Sequence, residues 1–370
     1  MKKIALLAAG LSLVTCLSAQ MDLPPSGGNP RAAISEEVGI TSITVKYSRP
    51  DVNKREGKIF GDGNRVPYGF KEQNNVSGKN DAPWRAGANE ATTITFEHDV
   101  KVEGKDIKAG TYALFMAMGA ENVTLIFSNQ NEAWGSFSYK PEDDVLRVDV
   151  KPVKLEKSVE WLKYEFIQHG EKHCVIAMQW EFISVPFKID VAVDNIVIEK
   201  LRKEMTGRRS FIPALELQAA QYCLNKNINL EEALAWSKNA ITGPAGQKTY
   251  ITLRNLATAY EKLNRVAEAD STMDEALLIA TANQYTAYGR ILITQKRVDK
   301  AMEIFKANEK RYGDVWGVNN GLMSGYSAKG DFKNAIKYAE KALAQAPNDA
   351  AKKQIEDFLV KLKEGKDINQ

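Results

Sequence analysis

PWRAGANEATTITF, residues 83–96, divides into a turn and a strand. Gly87-Ala88-Asn89 is turn chemistry, because glycine enters the left-handed region freely and asparagine tolerates it. From Thr93 on, Ile94 and Phe96 alternate with threonines, the period of a strand with one buried face. The pattern recurs on both sides. ITSITVKY (40–47), TYALFMAM (111–118), NVTLIFSN (122–129), VLRVDVKPV (145–153), SVEWLKYEFI (158–167) and HCVIAMQWEF (173–182) are all rich in β-branched and aromatic residues. Glu103-Gly104-Lys105, Lys108-Ala109-Gly110 and His169-Gly170-Glu171 supply turns between them. Strands at this spacing with no helices between them predict an antiparallel β-sandwich over residues 32–190 and argue against a doubly wound nucleotide fold.

From residue 191 the period changes. VAVDNIVIEKLRKEMT (191–206) reads as a helix with Ile196, Val197, Lys200 and Leu201 on its buried side and a stop at Gly207-Arg208-Arg209-Ser210, so residues 191–210 are expected to connect two domains. Beyond it Ala233, Ala269, Ala301 and Ala335 recur at intervals of 36, 32 and 34 residues. Gln221, Ala257, Gly289 and Met323 lie twelve positions before them, and Ala240, Ala276, Asn308 and Ala342 seven after. The clearest unit has Leu253, Leu256, Ala257, Tyr260, Ala269 and Ala276; the last has Leu322, Tyr326, Ala335, Ala342 and Pro347. This resembles the tetratricopeptide repeat, a helix–turn–helix unit in which small residues sit where helices cross closely. Gln221 and Asn308 depart from the pattern. The resemblance implies a helical stack over residues 211–365, with a concave groove lined by the first helix of each repeat. It also implies that Arg254, Arg290 and Asn320 face the groove as the fifth position of successive repeats. Such a groove suits an extended peptide or an acidic tail; the alternative is that all three are solvated surface residues.

The 370-residue length agrees with two domains, and 44% hydrophobic with 26% charged residues is the composition of a folded chain. MKKIALLAAGLSLVTCLSAQ (1–20) has two lysines, an apolar run and small residues, the layout of a signal peptide for export to the periplasm or beyond. The run is too short to span a membrane. Lipid anchoring at Cys16 is the rival reading, which Thr15 fits poorly. Residues 21–31, with three prolines and two glycines in 22–30, read as a linker. The formal charge of +3 falls to +1 without Lys2 and Lys3, a balance that argues against nucleic acid as a partner. Cys174 and Cys223 fall in different expected domains and read as buried thiols.

The loop at 83–90 is the leading site candidate. Arg85 offers a planar fork for a carboxylate or phosphate, and Trp84 a flat apolar face for a sugar or aromatic ring. The structural alternative has Arg85 paired with Glu90, Asn89 in the turn and Trp84 plugging the core. His98, His169 and His173 lack a ligand set with recognisable spacing, so no metal is expected, and no cofactor motif is present. GDGN (61–64) has no helix after it and reads as a turn. No nucleophile motif occurs.

YSRP (47–50), GKIFG (57–61), VPYG (66–69), WRAGANEATTITF (84–96), AGTYALF (109–115) and DDVLRV (143–148) together resemble the secreted bacterial domain-of-unknown-function family 2911, over about Ala32 to Thr206. The resemblance brings no activity or catalytic residue. Polar and aromatic residues beside the turns of these motifs make Tyr47, Arg49, Tyr68, Trp84, Arg85, Asn89 and Glu90 the candidate ligand site. Residues 70–82 look like a polar inserted loop. The expected function is an exported envelope scaffold, non-enzymatic, whose repeats hold a protein or peptide and whose sandwich holds a small ligand or glycan. The alternative is an envelope-polymer hydrolase that uses Glu90 with Asp143 or Asp144.

Overall fold

The computed structural model describes residues 28–207, 209 and 212–369. The expected signal segment with Cys16, residues 21–27 of the expected linker, and Arg208 and Ser210 of the expected helix stop lie outside them. The chain forms two compact units that divide after Glu199.

The first unit is an antiparallel sandwich. β1 (Arg31–Val38), β2 (Thr41–Ser48), β5 (Thr93–Phe96), β8 (Gly110–Ala117), β9 (Val123–Ser128) and β10 (Asp144–Val150) pair in that order in one sheet. β11 (Val153–His169), β12 (His173–Val191), β6 (Val100–Val102) and β7 (Lys105–Ile107) form the second. Alternating positions point inward: Ile43, Val45, Ile94, Phe96, Leu114, Met116, Leu125 and Phe127 from one sheet meet Leu162, Ile176, Met178, Trp180, Phe187 and Ile189 from the other. Burial of each such side chain contributes roughly 1.5–3 kcal/mol.

β8 and β9 do not alternate in burial, and the reason is a second apolar layer on their outer side. Ala113, Phe115, Ala117 and Ile126 pack there against Tyr139, with Phe70 and Ala133 at the margin. Three segments differ from the sequence reading. Arg31, placed in a linker, begins β1 and pairs with Ser48. The polar stretch 70–82 is a hairpin of β3 (Glu72–Asn74) and β4 (Lys79–Ala82), pinned where buried Asn74 donates to the Tyr139 carbonyl at 2.8 Å. β12 runs on to Val191, where it pairs with β6.

α1 (Val193–Met205) buries Ile198 and packs Ile196 against the β core, whereas Lys200 is exposed. The second unit continues with α2 (Pro213–Lys226), α3 (Leu230–Thr242), α4 (Tyr250–Lys262), α5 (Val266–Leu277), α6 (Ala282–Thr294), α7 (Val298–Tyr312), α8 (Trp316–Ala328), α9 (Phe332–Ala344) and α10 (Asp349–Lys363). Ala233, Ala269, Ala301 and Ala335 are all buried, one in each second helix. Gly289, in the first helix α6, holds the place that Ala257 has in α4, and a Cβ there would stand 2.2 Å from Phe305 Cε1. Asn308 departs from alanine because α7 uses its amide: Nδ2 donates to the Ala282 carbonyl at 2.9 Å and to Thr286 Oγ1 at 3.2 Å. Gln221 is exposed, and Ala219, Ala220 and Cys223 fill the interior of α2 instead.

Alanine forms helix better than glycine by about 1 kcal/mol, yet overpacking costs about 1–3 kcal/mol. Gly289→Ala is expected to lower the unfolding free energy in urea, because Phe305 has no room to yield; a variant more stable than the parent would refute the close approach.

Candidate functional site

The stretch 84–93 forms a wall shared by two clefts of the β unit. Trp84 pairs with Met116 through two backbone hydrogen bonds of 3.0 and 2.8 Å. Its indole N–H donates to the Gly87 carbonyl at 3.1 Å. The ring stacks on Trp180, with centroids 5.9 Å apart and planes 20° apart, and Phe60 stands edge-on to both. Trp84 is 4% exposed and Trp180 2% exposed, so these are core residues that reach the cleft only at their edges. Ala86 and Asn89 both have left-handed backbone, at φ +54° and +60°. Bonds to the Ala86 carbonyl from Thr92 Oγ1 at 3.0 Å and Tyr164 OH at 2.9 Å hold that conformation.

The first cleft encloses about 560 Å³, within the range of small-molecule sites. Arg55, Arg65 and Arg85, the carboxylates of Asp51 and Glu72, and Phe137 converge on it. Arg85 is clamped. Its Nη1 donates to the Asn89 carbonyl at 3.0 Å, and its guanidinium lies over the Phe137 ring at 5.2 Å. Gly135, at φ +65°, makes room for it, since a Cβ there would fall 2.5 Å from Nη1. Burial lowers the Arg85 pKa, with Glu72 opposing and Arg65 adding to the effect. Burial likewise raises the Glu72 carboxyl above its ordinary 4.5, against the pull of Arg85 and Arg65.

The second cleft, of about 510 Å³, contains Tyr47, Glu90, Arg31 and Lys46. Arg85 and Glu90 therefore do not pair, contrary to the structural alternative read from sequence. Glu90 is bound to Arg31 at 2.6 Å, because β1 brings that arginine alongside. Tyr47 packs edge-on against Tyr164 at 4.8 Å. Arg49 and Tyr68 line neither cleft: Arg49 Nε donates to the Leu162 carbonyl at 2.9 Å, and Tyr68 packs against the core. Of the seven candidates, the first cleft thus unites Trp84, Arg85 and Asn89. The residues missed are Arg55, Arg65, Glu72, Phe137 and Trp180; the arginines flank the GKIFG and VPYG motifs, the only signal that could have found them.

The carboxylates of the hydrolase reading have other partners. Asp144 accepts from Tyr139 OH at 2.6 Å and from Arg147 Nε at 2.8 Å, and Asp143 accepts from Gln130 at 2.8 Å. Neither aspartate lines the cleft that holds Glu90. His169 is bound to Glu36 at 2.8 Å and His98 to Thr41 at 3.1 Å. Among the described residues, no group of three or more His, Cys, Asp or Glu is placed to hold a metal, and no helix is long and apolar enough to cross a membrane. Cys174 is buried in β12, which pushes its thiol up to about 12, with Glu36 and Asp190 adding; Cys223 is buried in α2.

In the repeat unit the three groove candidates separate. Arg254 and Asn320 lie three residues before Ala257 and Met323, but Arg290 lies one residue after Gly289. Thr286 is the true equivalent, and it is buried, donating to the Gly317 carbonyl at 2.6 Å. Arg290 Nη2 donates to Asn320 Oδ1 at 2.7 Å, and burial lowers the Arg290 pKa. Asn320, 4% exposed, joins α6 to α8 and is not a solvated groove residue. Arg254 lines an open cleft of about 440 Å³ between α2 and α4, beside Gln221, Asn225 and Thr258. Among the described residues its guanidinium has no ion-pair partner.

A carboxyl whose pKa is raised in the folded state contributes stability that is full below its ordinary 4.5 and is lost as pH rises through the folded value. Glu72→Gln keeps that position neutral at every pH. The variant is expected to melt above the parent at pH 7 and level with it near pH 4; a gap that does not change with pH would remove this account of Glu72.

The family described as a protein of unknown function, DUF2911, matches residues 29–189, and a tetratricopeptide repeat matches residues 326–349. No curated protein matches the chain. Among solved structures, the APC/C hetero-tetramer Cut9-Hcn1 is similar at 16% identity and a TM-score of 0.31, over 45% of this chain and 35% of that one. YrrB, described as a TPR protein with an unusual peptide-binding site, is similar at 15% identity and a TM-score of 0.29, over 45% of this chain and 86% of its own. MamA AMB-1 is similar at 16% identity and a TM-score of 0.26, over 41% and 85%. The chain spans about a third of the first of these structures. Residues 29–189 are accordingly a domain of the unknown-function family DUF2911, followed by a tetratricopeptide repeat at 326–349.

Proposed function

We propose that this chain is an exported, non-enzymatic scaffold of the cell envelope, whose helical repeats hold a protein or peptide partner and whose β unit holds a small ligand. The observation that carries the reading is Arg254. It is half-buried in the cleft between two successive first helices, with amide and hydroxyl side chains around it and no carboxylate paired to it among the described residues. A guanidinium held in that way is a ready contact for an acidic side chain of an extended peptide. Stacked repeats offer such clefts as a continuous surface. Export rests on the charge and hydropathy layout of residues 1–20.

The test is capture from an envelope extract by the parent chain and by Arg254→Glu. Charge reversal at this half-exposed position is expected to abolish capture and leave the melting temperature within about a degree, since surface substitutions stay near ±0.5 kcal/mol. Arg290→Glu serves as the contrast, because loss of its bonds to α8 is expected to lower the melting temperature. Capture that survives Arg254→Glu would end the groove reading.

A further inference from the structure

The first cleft of the β unit carries more cation than its own anions neutralise. Asp51 is taken by Arg55 at 3.1 Å. Glu72 is within the field of Arg65 and Arg85 but forms no ion pair with either within 4.0 Å among the described residues. Arg65 is exposed, with no hydrogen bond or ion pair through its side chain among the described residues. Arg85 has five N–H donors, of which the bond to Asn89 uses one. Its position is set by the Phe137 ring and by the space above Gly135, so it meets a ligand without first losing rotamer freedom. Trp180, on the same wall, has a buried indole N–H with no acceptor among the described residues.

We propose that this cleft binds a small ligand through an oxyanion, the carboxylate of an acidic sugar or a phosphate ester, held between Arg65 and Arg85. The inference rests on the reading that the β unit holds a small ligand, and it names the chemistry of that ligand. Both guanidiniums present planar forks that suit either oxyanion. Phe137 and the edges of Trp84 and Trp180 supply the apolar part of the wall.

The experiment is calorimetric titration of the purified full-length chain with D-galacturonate, D-galactose 1-phosphate, inorganic phosphate and neutral D-galactose, repeated on Arg65→Ala and Gly135→Ala. Arg65 is exposed, so its removal leaves the fold intact; Gly135→Ala displaces Arg85 without removing its charge. At least one anionic probe is expected to bind, galactose at least about tenfold more weakly, and each substitution to weaken the anion by about tenfold or more. Binding of galacturonate alone assigns the site to a carboxylate; binding of the phosphate probes alone assigns it to phosphate. Galactose bound as tightly as galacturonate, and insensitive to Arg65→Ala, would overturn the oxyanion while leaving a ligand-binding β unit in place. If none of the four probes binds, both fall.

Discussion

The stacked indoles of Trp84 and Trp180 tie the two sheets of the β unit together at the end where the first cleft opens. Trp84 is paired in backbone to Met116 of the six-stranded sheet, and Trp180 belongs to β12 of the other. An offset aromatic pair contributes about 0.5–1.5 kcal/mol beyond the area it buries. Its larger effect here is positional. With Trp84 fixed, the chain must turn within residues 85–92 to reach β5, and it does so through left-handed backbone at Ala86 and Asn89. Such backbone costs on the order of 1–3 kcal/mol per residue and persists only where the surroundings over-determine it. Thr92, Tyr164 and the indole N–H of Trp84 supply those restraints. The Asn89 carbonyl then points at Arg85, so the corner that closes the core also aims the guanidinium.

The helical unit solves a different problem, which is how closely helices approach. Alanines at the crossings do most of it, and Gly289 takes the tightest place, against Phe305. Around that contact the unit spends polar side chains on cohesion. Asn308, Thr286 and the Gly317 carbonyl form one chain of hydrogen bonds across α7, α6 and α8, and Arg290, Asn320 and Ser324 form another. Buried donors left unmade would cost about 1–3 kcal/mol each, so these side chains serve the cohesion of the helices.

The candidate site was half legible for a reason particular to each residue. Trp84, Arg85 and Asn89 stand beside a turn, and turn chemistry is local. Glu90 was misassigned because its partner Arg31 is 59 positions away, on a strand whose polar–apolar alternation is weak. Glu72 was hidden in a stretch that looks like a solvated loop; Phe70 and buried Asn74 anchor it, but only against Phe115 and Tyr139, which come much later in the chain. Arg290 failed on register. It lies 36 residues after Arg254, while Ala257 and Gly289 are 32 apart, so Thr286 and not Arg290 holds the place of Arg254.

Period alone determined the two architectures: alternation of two in one half and recurrence near 34 in the other each allow one way to bury the apolar face. The same local signals located the turns and the small residues at helix crossings. Tertiary structure decided which charges meet. Ion pairing and desolvation depend on distance in space, which falls off over a few ångströms and has no signature in sequence spacing. That is why Arg85 faces Glu72 and Arg65 across a cleft while Glu90, five residues from it, belongs to another.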